Sequence, residues 1–279
     1  GGGQPLITGT QLKNIEIPVP PLEVQERIVN ILDKFEMLTN SLVSGLPAEV
    51  EARKKQYEYY RNLLLDFKSD GGGYILLEKI VQWLPLGEIA TIVRGGNFQK
   101  KDFCSEGVPC IHYGQIYTKF GLYAYEPITY ISEEVANKSK KATTNDIIMA
   151  VTSENIEDVC KCVAWLGDSK IAVSGHTAII HHNQNAKYLS YYFHTQMFFE
   201  QKKKYAHGTK VIEVTPNKLS DIIIPIPPLE VQNAIVEILD KFERLVNDLS
   251  EGLPAEIEAR KKQYEYYRDK LLSFKEKTA

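Results

Sequence analysis

Side chains able to read a polar surface gather in the middle of this chain. Arg94, Asn97, Gln99, Lys100 and Lys101 follow the apolar run Ile92-Val93 through a pair of glycines, Gly95-Gly96. Tyr113, Gln115, Tyr117, Thr118 and Lys119 follow Val108-Pro109-Cys110-Ile111, and Thr152, Ser153 and Asn155 follow Asp146-Ile147-Ile148-Met149-Ala150-Val151. His176 lies in Ser174-Gly175-His176-Thr177, and Lys210 in Gly208-Thr209-Lys210. Loops that leave strands are where binding residues concentrate. The residue types suit a DNA duplex: Arg and Lys match guanine edges, Asn and Gln match adenine edges, and phosphates accept from all of them. Plainer readings stand beside this one. Lys202-Lys203-Lys204 ends a helical stretch, where cations favour the helix dipole, with phosphate contact as the alternative. Most of the tyrosines read as core or strand-face residues.

Other chemistries find no support. Cys160-Lys161-Cys162 has one residue where a zinc site has two or more, and lacks a second ligand pair. His181-His182-Asn183 lacks the spacing of metal or nuclease clusters. No G-x-x-x-x-G-K-S/T loop, no strand followed by G-x-G-x-x-G, no Asn/Asp-Pro-Pro-Tyr/Phe, no G-x-S-x-G and no H-E-x-x-H is present. No catalytic residue, metal ligand or bound cofactor is therefore assigned. No run approaches the roughly 18 apolar residues of a membrane span, and the first residues carry no signal pattern. Four cysteines in 279 residues are too few for a disulfide scaffold, so the expected setting is reducing and cytoplasmic. A net charge of −3 excludes a wholesale basic coat but not local nucleic-acid recognition.

The elements that must position these residues are organised by a repeat. Leu12–Lys68 and Leu219–Lys275 align without a gap at an offset of 207, with 41 of 57 positions identical. Two copies are too few for a solenoid and read as paired arms around a unique block. The expected division is 1–11, a stub of a preceding domain or a tag; 12–70, a first helical arm; 71–218, the block; and 219–279, a second arm. Each arm opens with a proline-punctuated extended run such as Ile222-Ile223-Ile224-Pro225-Ile226-Pro227-Pro228. Val231, Ile235, Ile238, Leu239, Phe242, Leu245, Val246 and Leu249 then recur at helical spacing. Gly252-Leu253-Pro254 breaks that helix. A second helix carries Ile257, Arg260, Tyr264, Tyr267, Leu271 and Phe274 at heptad-like spacing, matched by Val50, Arg53, Tyr57, Tyr60, Leu64 and Phe67. Tyr57, Tyr60, Leu64, Phe67, Tyr264, Tyr267, Leu271 and Phe274 are thus the expected seam of an antiparallel helical pair, with a surface helix packed on its own domain as the alternative.

Charge separates block from arms. Residues 69–218 have 16 basic against 15 acidic residues, 1–68 have 8 against 9 and 219–279 have 9 against 12, and all six histidines and ten of sixteen tyrosines fall in 69–218. Its alternation of apolar runs with polar loops predicts strands over Ile92–Arg94, Val108–Ile111, Asp146–Val151 and Lys170–Ile180, the last a pair or a bulged strand. A helix is predicted over Tyr188–Tyr205, and Gly71-Gly72-Gly73 reads as a flexible joint. The fold class is α+β: one mixed α/β domain flanked by two repeated long-helix arms.

Taken in order, Ile15–Gln25, Leu86-Gly87-Glu88-Ile89, Gly107–Ile116, Asp146–Ala150 and Ile222–Gln232 resemble the specificity subunit of type I restriction–modification systems, nearly throughout the chain. The resemblance implies a non-catalytic reader of double-stranded DNA whose middle block is a target recognition domain. Its partners would be methylation subunits, which carry S-adenosylmethionine, and a restriction motor subunit. Family members usually have two recognition domains and read a bipartite site, whereas one is present here. A truncated fragment or a half-length subunit fits that departure. Two copies about a two-fold axis would restore two readers and a palindromic site. The alternative is an assembly or regulatory decoy that binds methylation subunits without productive DNA reading.

Overall fold

The computed structural model describes residues 7–40, 46–67, 80–247 and 253–274. The Gly71–Gly73 joint, the Gly252 break and residues 1–6 lie outside these. Contacts divide the chain into two compact units, Gly1–Lys55 with Glu243–Ala279, and Gln56–Phe242.

In the second unit the chain runs from strand β1 (Gln82–Pro85) through a helical turn, α4 (Leu86–Ile89), into β2 (Ala90–Arg94). There follow β3 (Phe103–Cys104), β4 (Val108–Ile111), α5 (Tyr113–Thr118), β5 (Tyr123–Ala124), β6 (Thr129–Ile131), α6 (Glu133–Asn137) and β7 (Lys140–Ala142). Next come β8 (Asp146–Ala150), β9 (Thr152–Ser153), β10 (Cys162–Trp165), β11 (Ile171–Val173) and β12 (Thr177–His182). The unit finishes with α7 (Ala186–Phe193), α8 (Gln196–Tyr205), β13 (Ile212–Glu213), α9 (Pro216–Ser220), β14 (Ile223–Ile226) and α10 (Leu229–Asn247), which continues past its boundary.

Two five-stranded sheets form its body, in the orders β2-β12-β8-β10-β5 and β3-β6-β4-β11-β7. Strands β8 and β10 are buried at every residue, which explains why they read as unbroken apolar runs rather than alternating ones. Ile111, Ile171 and Val173 of one sheet join Ile148, Val163, Trp165 and Ile179 of the other in a single apolar cluster. The Trp165 indole inside it keeps its hydrogen bond, donating to the Ser169 carbonyl at 2.8 Å.

The structure corrects several expected elements. The run over Lys170–Ile180 is two strands in different sheets, split at Ser174-Gly175-His176. The helix expected over Tyr188–Tyr205 breaks at His194-Thr195, because the Thr195 hydroxyl caps α8 by accepting from the Phe198 N–H. Lys202 is not a solvated helix end: it is buried, and its ammonium donates to the carbonyls of Val159 and Glu157. Burial lowers its pKa, so this lysine braces the turn before β10 and is spent there.

The start of the second arm, as far as Phe242, is built into this unit. Strand β14 pairs antiparallel with β1, setting Trp83 against Pro225 and Leu84 against Ile224. Helix α7 packs on β10 and β8 and presents its polar atoms to α10. Lys187 reaches Asp240 at 2.7 Å and lies 3.8 Å over the Tyr123 ring, while the Tyr191 hydroxyl donates to the other oxygen of Asp240 at 2.7 Å. Asn185 donates its backbone N–H to Gln232 at 3.0 Å, and the Tyr188 hydroxyl donates to the Pro225 carbonyl at 2.8 Å.

The arm helices are α1 (Gly9–Lys13), α2 (Leu22–Asn40), α3 (Leu46–Leu65), α10 and α11 (Leu253–Leu272). In the first unit α2 packs against α11, with the Phe35 ring 5.7 Å from Tyr267 and 6.2 Å from Tyr264. Residues Ile28 and Val29 early in α2 share a groove with Leu272 and Phe274 beyond it, so these two helices run antiparallel. In the other unit Tyr60 stacks on Phe242, again at 5.7 Å. Phe35 and Phe242, like Tyr60 and Tyr267, are equivalent repeat positions. The seam tyrosines thus meet a phenylalanine on the first helix of the other arm. Tyr57 and Phe67 are buried and Leu64 and Leu271 half-buried, whereas Phe274 follows the end of α11 and is exposed.

The repeat supplies an internal control on the Asp240 anchor. Removing one partner of a largely buried, hydrogen-bonded ion pair leaves the other stranded. Asp240→Ala is expected to lower unfolding stability by about 2 kcal/mol. Asp33→Ala, at the equivalent but exposed position, should stay within about 0.5 kcal/mol of the parent. Urea unfolding of both variants checks this.

Candidate nucleic-acid interface

Two glycines bring the candidate loops together. Gly95 and Gly96 run so close to the end of β11 that a Cβ on Gly95 would lie 2.1 Å from the Ser174 carbonyl oxygen. One on Gly96 would lie 2.4 Å from the Ser139 Cα. The Gly96 N–H donates to Val173 at 2.7 Å and the Gly95 N–H to Thr177 at 3.0 Å, which pins the loop after β2 onto the β11–β12 turn. The Tyr113 N–H donates to the Ser174 hydroxyl at 3.0 Å, docking α5 on the same turn.

Around this junction the Tyr113 ring lies 4.9 Å from His176 and 4.4 Å from His112. His176 pairs with the Thr152 hydroxyl through Nδ1 at 2.9 Å. Arg94 donates through Nε to the Gly175 carbonyl at 2.9 Å and pairs with Glu213 through its guanidinium. Asn97 is exposed, with its carboxamide oxygen directly over Gly175. Lys100 is exposed, and its Cε lies 3.8 Å from where a Gly114 Cβ would stand. The structure therefore joins Arg94, Asn97, Lys100, Tyr113, Thr152 and His176 in one neighbourhood, drawn from four separate segments of the chain.

Other candidates are spent internally. The segment after β4 is not a loop but the helix α5, capped by His112, whose Nδ1 accepts from the Gly114 N–H at 3.2 Å. Gln115 is buried, accepting from the His112 N–H at 2.8 Å and donating to Thr129 at 3.1 Å, so its carboxamide completes the cap. The Tyr117 hydroxyl donates to the Thr152 carbonyl at 2.6 Å, and burial raises its pKa. Thr118 donates back to Gly114 at 2.8 Å. Asn155 caps its own turn through Asp158, and Ser153 lies in β9, paired with Ile212. Gln99 opens a short 3-10 turn whose Asp102 accepts from the Gln99 N–H at 2.8 Å. Lys101, Lys119 and Lys210 are exposed.

Sequence reasoning missed Glu213, which holds Arg94, and Lys187, Tyr191 and Gln232, which hold the block to its arm. The repeat already carried the signal for Gln232 and Asp240, but their partners lie at no fixed spacing. His181 pairs with Asp146 at 2.9 Å, and His182 accepts from the Gln184 N–H at 3.1 Å. Cys160 and Cys162 are buried, and burial pushes both thiols up to about 12. Among the described residues no group of three or more His, Cys, Asp or Glu is placed to hold a metal ion. None of their helices is long and apolar enough to cross a membrane.

Comparison with known proteins assigns the class. Residues 1–52 and 80–259 match the type I restriction modification DNA specificity domain. The chain belongs to that family. It is 35% identical over 278 residues to the EcoR124I/EcoR124II specificity subunit of Escherichia coli, a match covering 96% of this chain and 65% of that protein. It is 28% identical to a putative type I specificity subunit of Mycoplasma pneumoniae, over 94% of each chain. A solved chain from a type I restriction–modification system has the same fold, with a TM-score of 0.69 at 21% identity, over 98% of this chain and 65% of the other. The chain thus spans just under two thirds of the E. coli relative's length.

The histidines make the acid limit of this fold calculable. Burial first, then the charges of Lys100 and His176, lowers the His112 pKa to about 4, and burial lowers His182 and His194 to about 4 as well. All three are neutral when folded, so the unfolded chain binds more protons between pH 6.5 and 4. Stability is expected to be full above about pH 6.5 and to fall as the pH drops toward 4. Lys100→Met should raise the His112 titration toward 6.5 without reaching it, as followed by NMR of the imidazole ring.

Proposed function

We propose that this chain is the DNA-reading subunit of a type I restriction–modification complex, with residues 71–218 as its target recognition domain. Family membership supports the reading, and the junction of four loops around Gly95-Gly96 and Ser174–His176 is the observation that carries it. Donors there stand on two stiff sheets, so their spacing is set before DNA arrives. The exposed Asn97, Lys100, Lys101, Lys119, His176 and Lys210 are the candidate contacts. Tyr113 forms an aromatic floor beside them. Arg94, tied to Gly175 and Glu213, orients the His176 turn.

The chain supplies sequence choice and no chemistry of its own. Adenine methylation, with its S-adenosylmethionine, resides in partner methylation subunits, and cleavage in a motor subunit. The chain reads one half of a bipartite target and scaffolds the methylation subunits, with its helical arms setting the distance between readers. Two copies about a two-fold axis present two readers, and the M. pneumoniae relative of matching length favours such a half-subunit arrangement. The setting is the cytoplasm, where the substrate DNA lies.

Co-expression with a methylation subunit in a host lacking other modification, followed by mapping of methylated adenines, tests this reading. A gapped, two-fold symmetric motif is the expected outcome. A stable complex with no methylated motif would leave the decoy reading in its place. In duplex-binding assays, Lys100→Ala, Lys101→Ala and Lys210→Ala should weaken target and non-target DNA alike. For every phosphate no longer neutralised, the salt slope falls by about 0.9. Asn97→Ala should instead narrow the gap between target and non-target sequences.

A further inference from the structure

Between α8 and β13 the chain turns back on itself in a short hairpin. His207 and Glu213 exchange both backbone hydrogen bonds, the His207 N–H donating at 3.0 Å and the Glu213 N–H at 2.8 Å. The turn is so tight that a Cβ on Gly208 would lie 2.0 Å from the Val211 carbonyl oxygen, and Gly208 takes a φ of +112° that suits glycine. The base of the hairpin is fastened to the junction of loops. Ile212 and Glu213 pair antiparallel with Ser153 and Thr152, and the Val214 N–H donates to Val151 at 3.0 Å. The Glu213 carboxylate holds the guanidinium of Arg94, which also bonds the Gly175 carbonyl.

The tip is free. Residues 207–211 are all exposed. Thr209 and Lys210 make no side-chain hydrogen bond or ion pair among the described residues. Val211, at 56%, is the most exposed of the large apolar side chains in 80–218. A lone exposed valine is ordinary on a protein surface. This one is held out from the core by every bond of the hairpin base, beside a free lysine. Thr152, to which that base is paired, bonds His176 at 2.9 Å.

We propose that the hairpin is a major-groove finger and that Val211 is a specificity-determining residue, reading the C5-methyl group of a thymine. The inference rests on the proposed DNA reading and names one contact within it. The other exposed candidates, Asn97, Lys100, Lys101, Lys119, His176 and Lys210, end in polar groups that suit base-edge acceptors, donors and phosphates. The thymine methyl is the one apolar mark on a base edge, and it lies in the major groove. That groove, about 12 Å wide, admits a two-stranded ribbon, whereas the minor groove, about 6 Å wide, carries no methyl. Val211 offers two methyl groups on a side chain already stiff at χ1, so little rotamer freedom is lost on contact. Lys210 beside it serves the flanking phosphate. Glu213 is a positioning residue: through Arg94 it fixes the finger against the His176 turn.

The test uses the full chain with its methylation subunit and a duplex bearing the motif mapped in cells. Each thymine is replaced in turn by deoxyuridine, which deletes only the methyl group. The parent should lose about fourfold in affinity at one thymine of the half-site, the effect of burying one methyl group. Val211→Ala should bind the thymine and uracil duplexes equally at that position. Glu213→Gln should shrink the ratio there and at no other thymine, whereas a loss of folding would lower the affinity for every duplex together. A parent that binds its motif selectively yet tolerates uracil throughout overturns the finger and leaves the DNA reading intact. So does a Val211→Ala chain that keeps the parent's ratio. Absence of a motif, or binding with no sequence preference, sinks the reading itself and the finger with it.

Discussion

Asp240 accepts from the Lys187 ammonium and the Tyr191 hydroxyl at once, at 2.7 Å each, on the face where α10 meets α7. The position of everything downstream is referred to that carboxylate. Lys187 and Tyr191 sit one turn apart on α7, so fixing both sets the rotation of the helix as well as its height. Helix α7 in turn packs on β8 and β10, the buried centre of the first sheet. Neither charge is left without a partner in partly dry surroundings, the condition under which such a pair holds rather than weakens a contact.

From that centre the loops around Ser174–His176 inherit their order. The turn after β11 is the meeting point, and glycine is required beside it because two backbones pass where no Cβ fits. Internal bonds consume Gln115, Tyr117 and Thr152, and those bonds are what keep α5 and β9 in register with the turn. The junction thus separates residues whose side chains hold its shape from residues whose side chains stay exposed.

Much of this was legible in the sequence, for identifiable reasons. The repeat is a statement about residues alone, and its apolar spacing placed α10 and α11 because each buries one face. Strands β8 and β4 were legible as short apolar runs. What escaped were features fixed by local competition or by distant partners. Thr195 ends one helix and starts another through a single hydroxyl, in a run whose spacing stays helical throughout. Tyr113–Thr118 folds as a helix because His112 and Gln115 close a cap, a side-chain event no periodicity records. Lys202 looked like surface because charge usually is, and only the carbonyls of Glu157 and Val159 make its burial tolerable. Glu213 lies 119 residues from Arg94, beyond any spacing rule.

The crossed stacking of Phe35 on Tyr267 and of Tyr60 on Phe242 has a consequence for how the chain folds. Each phenylalanine faces two chemically identical choices, the tyrosine of its own arm and that of the other. The near arm is reached first, since its ring is 25 positions away along the chain rather than 182 or 232. The native stack is therefore the slower of two pairings between the same residue types, selected by what the rest of the fold permits. It is also a pairing that a neighbouring molecule offers with the same atoms. Whether it closes within one chain or between two is decided by effective concentration, not by contact strength.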